Sequence, residues 1–300
     1  MWKKALRFVS TQGLEQIGAG NHSAVYRLDS ETILKVVKDM TLDAIHAEMK
    51  VSKDVLIYGI PTAISYDVVQ TEEGYGEVYE MFHAGVLSEA VMANPERREE
   101  LLRRFAEMYR EIHRVEIDEG VLDSARERYL TAANALAPLV TEDELALTLK
   151  LIESVPESRN FIHGDFHMNN VMLQGDELLL IDVGEAGYGH PLFDFAQTMN
   201  AYTGMTTTYA DRCRKVLGLS LEEACYVRDN LFPMYFGETG KAMERKLTAV
   251  NGMATLRKLL SPFMQGVEGA EEQVRERLLK CGPSFFSQVD DLCKLIHSEF

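Results

Sequence analysis

The alternation of apolar and polar positions changes character near residue 82. Before it, residues 14–20, 24–28 and 32–37 read as short strands, with Asp29-Ser30-Glu31 supplying turn chemistry between the last two. Residues 41–58 read as a helix that Thr41 can cap and that Gly59 and Pro61 end. Residues 64–70 and 76–81 then read as a hairpin around Glu72-Glu73-Gly74. After residue 82 the period lengthens. Leu101, Leu102, Phe105, Met108, Tyr109 and Ile112 fall on one face at the helical repeat. Thr141 with Glu144, and Ser220 with Glu223, have the spacing of capping boxes. Residues 171–173 and 178–181 read as two short strands joined by Gln174-Gly175-Asp176-Glu177, and residues 190–300 as helices. The pattern predicts an α+β fold with two lobes: a small β-rich lobe at 1–82, and a larger, mainly helical lobe at 83–300 that carries one β-hairpin.

Composition narrows the function classes. A chain of 300 residues with 46% hydrophobic and 26% charged residues is an ordinary globular chain of two-domain length. Its net charge of −16 makes it a poor generic binder of nucleic acid or of an anionic membrane surface, since phosphate neutralisation needs clustered Lys and Arg. Such a charge suits a cationic ligand, or a solvated acidic surface with no ligand at all. No apolar run approaches the ~18 residues of a membrane span. Residues 1–4 are not followed by an apolar stretch of the kind found in signal peptides. Cys213, Cys225, Cys281 and Cys293 form no Cys-x-x-Cys pair. Free thiols in a reducing cytoplasm are the expectation.

Four segments carry chemistry. Gly18-Ala19-Gly20-Asn21-His22-Ser23-Ala24-Val25 lies in the turn between two strands. There glycines let backbone amides approach a phosphate, although such hairpins also occur without a ligand. Lys35 stands in the apolar strand Ile33-Leu34-Lys35-Val36-Val37 and shares a face with Ile33 and Val37. It reads either as an edge-strand charge or as a buried ammonium. A buried one needs a partner, for which Glu48 in the following helix is the candidate. The third segment runs His163-Gly164-Asp165-Phe166-His167-Met168-Asn169-Asn170, and the fourth, Ile181-Asp182-Val183-Gly184, ends a strand in a carboxylate. Asn170 and Asp182 supply the hard oxygens that suit Mg²⁺, leaving Asp165 to accept a proton from an attacking hydroxyl. His163-x-Asp165-x-His167 also reads as part of a transition-metal cluster, although that leaves the glycine turn, Lys35, Glu48 and Asp182 without a role.

The order glycine turn, strand Lys, helix Glu, Asp-x-x-x-x-Asn, strand-Asp-x-Gly is that of the protein kinases. The spelling His163-Gly164-Asp165-Phe166-His167-x-x-Asn170, followed by Asp182-Val183-Gly184, resembles the aminoglycoside phosphotransferase and choline kinase-like family of small-molecule kinases. The stretch His190-Pro191-Leu192-Phe193-Asp194-Phe195-Ala196 resembles that family too, except at His190. The resemblance covers residues 14 to about 200. It implies a bilobal protein-kinase-like fold and an ATP- and Mg²⁺-dependent phosphotransferase, with GTP not excluded as the nucleotide. Gly18 to Ser23 would cover the phosphates. Lys35, oriented by Glu48, would contact them, and Glu80, Met81 and Phe82 would form the hinge that meets adenine. Asp165 would position and deprotonate the acceptor, and Asn170 and Asp182 would hold the metal. His163 and Asp194 would be structural. The acceptor would be a small molecule, an aminoglycoside, choline-like amine, amino alcohol or sugar, bound by residues from about 121–160 and 205–300. An atypical Ser/Thr protein kinase and a nucleotide-binding pseudokinase scaffold are the alternatives.

Overall fold

The computed structural model describes residues 6–19, 23–38, 40–82 and 84–300. The chain divides into two compact units: Met1–Gly85 with Val171–Gly184, and Val86–Asn170 with Glu185–Phe300.

The first unit is built on a six-stranded sheet. Its strands are β1 (Arg7–Phe8), β2 (Glu15–Ala19), β3 (Ser23–Arg27), β4 (Thr32–Val37), β5 (Ser65–Thr71) and β6 (Gly74–Glu80), in the order β1-β5-β6-β4-β3-β2. All neighbours run antiparallel except β1 and β5, which run parallel. Helix α1 (Leu42–Ile57) starts where the sequence predicts, the Thr41 hydroxyl accepting the Ala44 N–H at 3.2 Å. One face of the sheet is apolar: Leu34, Val36, Val69 and Val78 are buried there with Val9, Leu14, Tyr26 and Leu28 against them. Side chains alternate along a strand, so Ile33, Lys35 and Val37 point to the opposite face. The sequence pattern puts Lys35 with the residues that seek burial. In the structure the core takes its neighbours Leu34 and Val36 instead, and Lys35 is half-buried on the polar side.

The hairpin β7 (Val171–Gln174) and β8 (Glu177–Leu180) groups with this unit and not with the helices that flank it in sequence. The reason is a set of backbone bonds to the segment after α1. Leu180 donates to the Pro61 carbonyl at 2.9 Å and accepts from Ala63 N at 3.1 Å and the Thr62 hydroxyl at 3.1 Å.

The second unit is helical: α2 (Leu87–Ala93), α3 (Arg98–Ile112), α4 (Ala125–Asn134), α5 (Glu142–Ser154), α6 (Leu192–Thr203), α7 (Cys213–Leu217), α8 (Leu221–Phe236), α9 (Gly240–Met264), α10 (Ala270–Phe286) and α11 (Val289–Glu299). The apolar face read from the sequence of α3 is buried at every named position. The capping box of α5 is complete, Thr141 and Glu144 each accepting the other's backbone N–H. At α8 only half forms. Ser220 accepts the Glu223 N–H, while the Glu223 carboxylate pairs with Arg98 at 3.4 Å. The four cysteines are free thiols. Among the described residues no helix is long and apolar enough to cross a membrane.

Candidate active site

In the first unit three charged side chains meet. Lys35 Nζ lies 2.7 Å from Asp182 Oδ1 and 3.3 Å from Glu48 Oε1. Strand β4 presents the lysine, α1 the glutamate, and the end of β8 the aspartate. Burial works against the ammonium, but Asp182 and Glu48 outweigh it and hold the Lys35 pKa above its ordinary value. Asp182 is the one non-glycine residue with positive φ among the described residues, at 61°. That conformation is uncommon for a side chain with a Cβ, and residues held in it concentrate at functional sites. Close behind, a Cβ on Gly184 would lie 3.3 Å from the Glu48 carboxyl carbon.

A fourth group on this face has no motif in the sequence. The register of β4 and β6 sets Lys35 directly opposite Glu77, and cross-strand partners share a face. Glu77 is fully buried, and neither of its carboxylate oxygens has a hydrogen-bond partner among the described residues. Burial and then the Glu48 charge push its carboxyl up to about 7, against the pull of Lys35. Alternation along β6 is its only available signal, since nothing local marks an acidic residue as buried.

Gly20, Asn21 and His22 of the glycine turn lie outside the described residues, as does the side chain of Ala19. Gly18 sits at an irregularity in the pairing of β2 with β3, while Ser23 and Val25 belong to β3. Of the hinge candidates, Glu80 ends β6 and Met81 donates its N–H to the Glu31 carbonyl at 2.8 Å. That donor is therefore committed. The carbonyl of Met81 and the backbone of Phe82 are the other groups the hinge has to offer a base.

In the second unit the segment from His163 to Asn170 is held from beneath by α6. Asp194 is fully buried, and its carboxylate accepts the N–H of His163 and of Gly164, each at 2.9 Å. Burial alone would raise its pKa. His113 at 3.1 Å, with the His163 backbone, holds it below the usual range. Thr198 donates to the Phe166 carbonyl and Tyr202 accepts the Met168 N–H. The Phe166 ring stacks on Tyr109 at 3.9 Å and on Phe105 at 4.4 Å. Gly164 has φ +85°, and a Cβ there would come within 2.5 Å of the Glu185 carbonyl oxygen, so both the turn and the close approach require glycine.

This scaffold aims Asp165. Asn170 Nδ2 donates to the Asp165 carbonyl at 2.9 Å and to its Oδ2 at 3.3 Å, and Gln197 Nε2 reaches its Oδ1 at 3.3 Å. His167 Nε2 lies 3.5 Å from Oδ2. Burial opposes the charge, yet the His167 imidazole and the hydrogen bonds from His167 and Gln197 hold the Asp165 carboxyl well below the usual carboxylate range. His163 is fully buried, and its Nδ1 accepts the Asp165 N–H at 3.2 Å, a bond that shapes the loop. Among the described residues no group of three or more His, Cys, Asp or Glu is placed to hold a metal ion. The donor set does fit magnesium. In the second unit Asn170 turns its amide nitrogen to Asp165, which leaves its carbonyl oxygen to ligate; in the first unit Asp182 is a carboxylate, the other kind of hard oxygen that Mg²⁺ takes. Mg²⁺ is usually held by one or two such groups plus substrate phosphates.

A cavity of about 620 Å³ opens beside this loop in the same unit. Gly164 and Gln197 line it, and so do Arg128 and Tyr129 of α4 and Arg257 of α9. Asp123, two residues before α4, stands exposed in its wall. Gln197, Thr198, Tyr202 and Arg257 are not singled out by the sequence. Three of them recur with Asp194 at helical spacing on α6, which is a legible signal once Asp194 is placed. Arg257 has none.

The sequence model of the phosphotransferase enzyme family (APH) matches residues 13–218. No curated protein sequence matches the chain. Among solved structures, a choline/ethanolamine kinase family protein from Mesorhizobium loti superposes with a TM-score of 0.55 at 15% identity, covering 96% of this chain and 93% of that one. The ADP-bound aminoglycoside phosphotransferase APH(2'')-Ib gives 0.54 at 16%, covering 94% of each chain. The streptomycin–ATP ternary complex of APH(2'')-IIa gives 0.53 at 15%, covering 93% of each. At such identities the likeness speaks to the fold, which is that of the protein-kinase-like phosphotransferases.

Proposed function

The chain belongs to the phosphotransferase enzyme family, and we propose that it moves the γ-phosphate of ATP, with Mg²⁺, to a hydroxyl of a small molecule. The observation that carries this reading is the meeting of Lys35 with both Glu48 and Asp182. Asp182 is 147 positions from Lys35 in sequence, and a kinase needs the three together. Solved complexes of similar fold hold ATP, ADP or GDP, which supports a nucleoside triphosphate as donor and leaves GTP open.

The residues take the following parts. Gly18 to Ser23 cover the triphosphate with backbone amides. Lys35 neutralises the α- and β-phosphates, and Glu48 keeps it aimed. Backbone groups of Glu80, Met81 and Phe82 hold the base. Asn170 and Asp182 would hold Mg²⁺, which would supply positive charge to offset that of the phosphates. Asp165 accepts a hydrogen bond from the acceptor hydroxyl, orients it in line, and takes its proton late, because the transition state is loose and the hydroxyl stays weakly acidic until then. A carboxylate with a depressed pKa suits this role, because it is always ionised and never removes the proton early.

The cavity beside Asp165 is the place for the acceptor. An acidic chain favours approach of a molecule that carries an amine, and the exposed carboxylates Asp123, Glu127 and Glu185 at the cavity are where an amine would be met. Free thiols suit a reducing cytoplasm. The test is a screen of pooled amines, amino alcohols, sugars, hydroxy acids and aminoglycosides with ATP, read by mass for a phosphorylated product. Turnover is expected with Mg²⁺, is expected to stop with EDTA, and to return with added Mg²⁺. Turnover that ignores EDTA removes the metal from the reading.

A further inference from the structure

The cavity that lies against Gln197 contains a positive charge with no counter-ion among the described residues. Arg257 is only 8% exposed. Its Nε donates to Gln197 Oε1 at 3.0 Å, its Nη1 touches the Met264 sulfur, and its guanidinium carbon lies 5.9 Å from the centre of the Tyr129 ring. Among the described residues no carboxylate comes within ion-pair distance of it. A buried charge is retained at such a cost only where something pairs with it, and an amide, a thioether and a ring do not supply a negative charge. Holding Gln197 needs a hydrogen-bond donor, not a cation.

A second observation points into the same cavity. The Tyr129 hydroxyl is buried and has no hydrogen-bond partner among the described residues. Burial pushes its pKa up to about 12, so it stands as a neutral phenol with a proton to donate. Arg128 adds a second guanidinium to the cavity wall. That one is engaged, donating to the Glu185 carbonyl at 2.9 Å, with the Glu185 carboxylate 3.8 Å away. Its pKa is lowered, by burial first and by Arg257 in part. The carboxylates around the cavity, Asp123, Glu127 and Glu185, are exposed to solvent, whereas Arg257 and Tyr129 are buried.

We propose that the acceptor carries an anionic group, a carboxylate or a phosphate, bound in this cavity by Arg257 with the Tyr129 hydroxyl. This rests on the kinase reading of Asp165. Gln197 links the two ends: one side of its amide bonds Arg257 and the other bonds Asp165. An anion on Arg257 therefore sets a hydroxyl a few bonds away against the base. The planar guanidinium fork matches carboxylate and phosphate oxygens in pairs. A polycation with no acidic group is disfavoured, because it would bring amines against an unpaired guanidinium. An acceptor that also carries an amine would place it among the exposed carboxylates.

The experiment uses three acceptor pools with ATP and Mg²⁺, read by mass: hydroxy acids including amino acids, phosphorylated alcohols, and alcohols without an acidic group, aminoglycosides and choline among them. Product is expected from the first or the second pool, and which one responds separates carboxylate from phosphate. For that acceptor Arg257→Met is expected to raise KM about tenfold or more, the loss of a charged hydrogen bond, with Arg257→Lys between it and the wild type. KM for ATP is expected to stay within about twofold, which together with the melting curve shows that the variants fold. A role limited to holding Gln197 would lower kcat and leave the acceptor KM unmoved, and that result overturns the inference. So does the absence of product from both anionic pools. If the third pool alone gives product, the inference fails and the kinase reading stands. If no pool gives product and ATP is not turned over, both fail.

Discussion

At Asp165 two requirements meet: the carboxylate must stay ionised, and it must face a hydroxyl. His167 and Gln197 meet the first: the nearby imidazole and the hydrogen bonds from both depress its pKa despite burial, while Asn170 fixes its direction. Asp165→Asn keeps the size of the side chain and gives up the basic charge. It should lose roughly 10²- to 10⁴-fold in kcat, the range for a general base, while still binding ATP with Mg²⁺. Steady-state turnover and a direct nucleotide titration check this, and a variant as fast as the wild type would remove Asp165 from the chemistry. Asp182 shows how one backbone angle carries information. A side chain at positive φ is tolerated because Lys35 holds its carboxylate from the front. Gly164 is the opposite case: its neighbour Glu185 leaves no room for any side chain.

At the scale of elements, register decides which residues share a site. Strand β6 places Glu77 opposite Lys35, and the same alternation puts Val78 opposite Leu34 on the core side. Glu77 is an acid whose folded pKa, about 7, lies above its ordinary 4.5. The folded state therefore binds the proton more tightly than the unfolded one. The stabilisation from the neutral form is full below about pH 4.5 and is lost as pH rises to about 7. Glu77→Gln mimics the neutral form at every pH. It should be more stable than the wild type at pH 8, by about 3 kcal/mol at most, with the gap closing towards pH 5. Denaturant melts at the two pH values test this; a gap that is equal at both, or reversed, would show that Glu77 is ionised and paired in the fold. Helix α6 makes the same point about elements. Asp194, Gln197, Thr198 and Tyr202 recur at helical spacing and bond successive parts of the catalytic loop, so one helix face sets the loop's shape.

The whole molecule carries a net charge of −16, and self-repulsion at that charge opposes compaction. Raising salt from about 0.01 M to about 0.15 M shortens the screening length from roughly 30 Å to roughly 8 Å. The melting temperature should rise over that range, and a melting temperature that is flat or falling would mean that local ion pairs already offset the repulsion. What the sequence determined by itself was local in origin. Strands β2 to β6, the cap of α1, the capping box of α5 and the buried face of α3 all come from periods and caps that act over a few residues, whereas β1 carries no such signal. The candidates Lys35, Glu48, Asp165, Asn170 and Asp182 were legible too, from their residue types and their order along the chain. Tertiary structure alone decided the rest. It chose Leu34 and Val36 over Ile33 and Val37 for the core, since alternation defines two faces and only packing says which is inside. It joined β7 and β8 to the first unit through bonds to residues more than a hundred positions away. It buried Glu77 beside Lys35 and set Arg257 next to Gln197, with no counter-ion among the described residues. Burial and missing partners are properties of a surrounding in space, and a stretch of sequence on either side of Arg257 carries no trace of them.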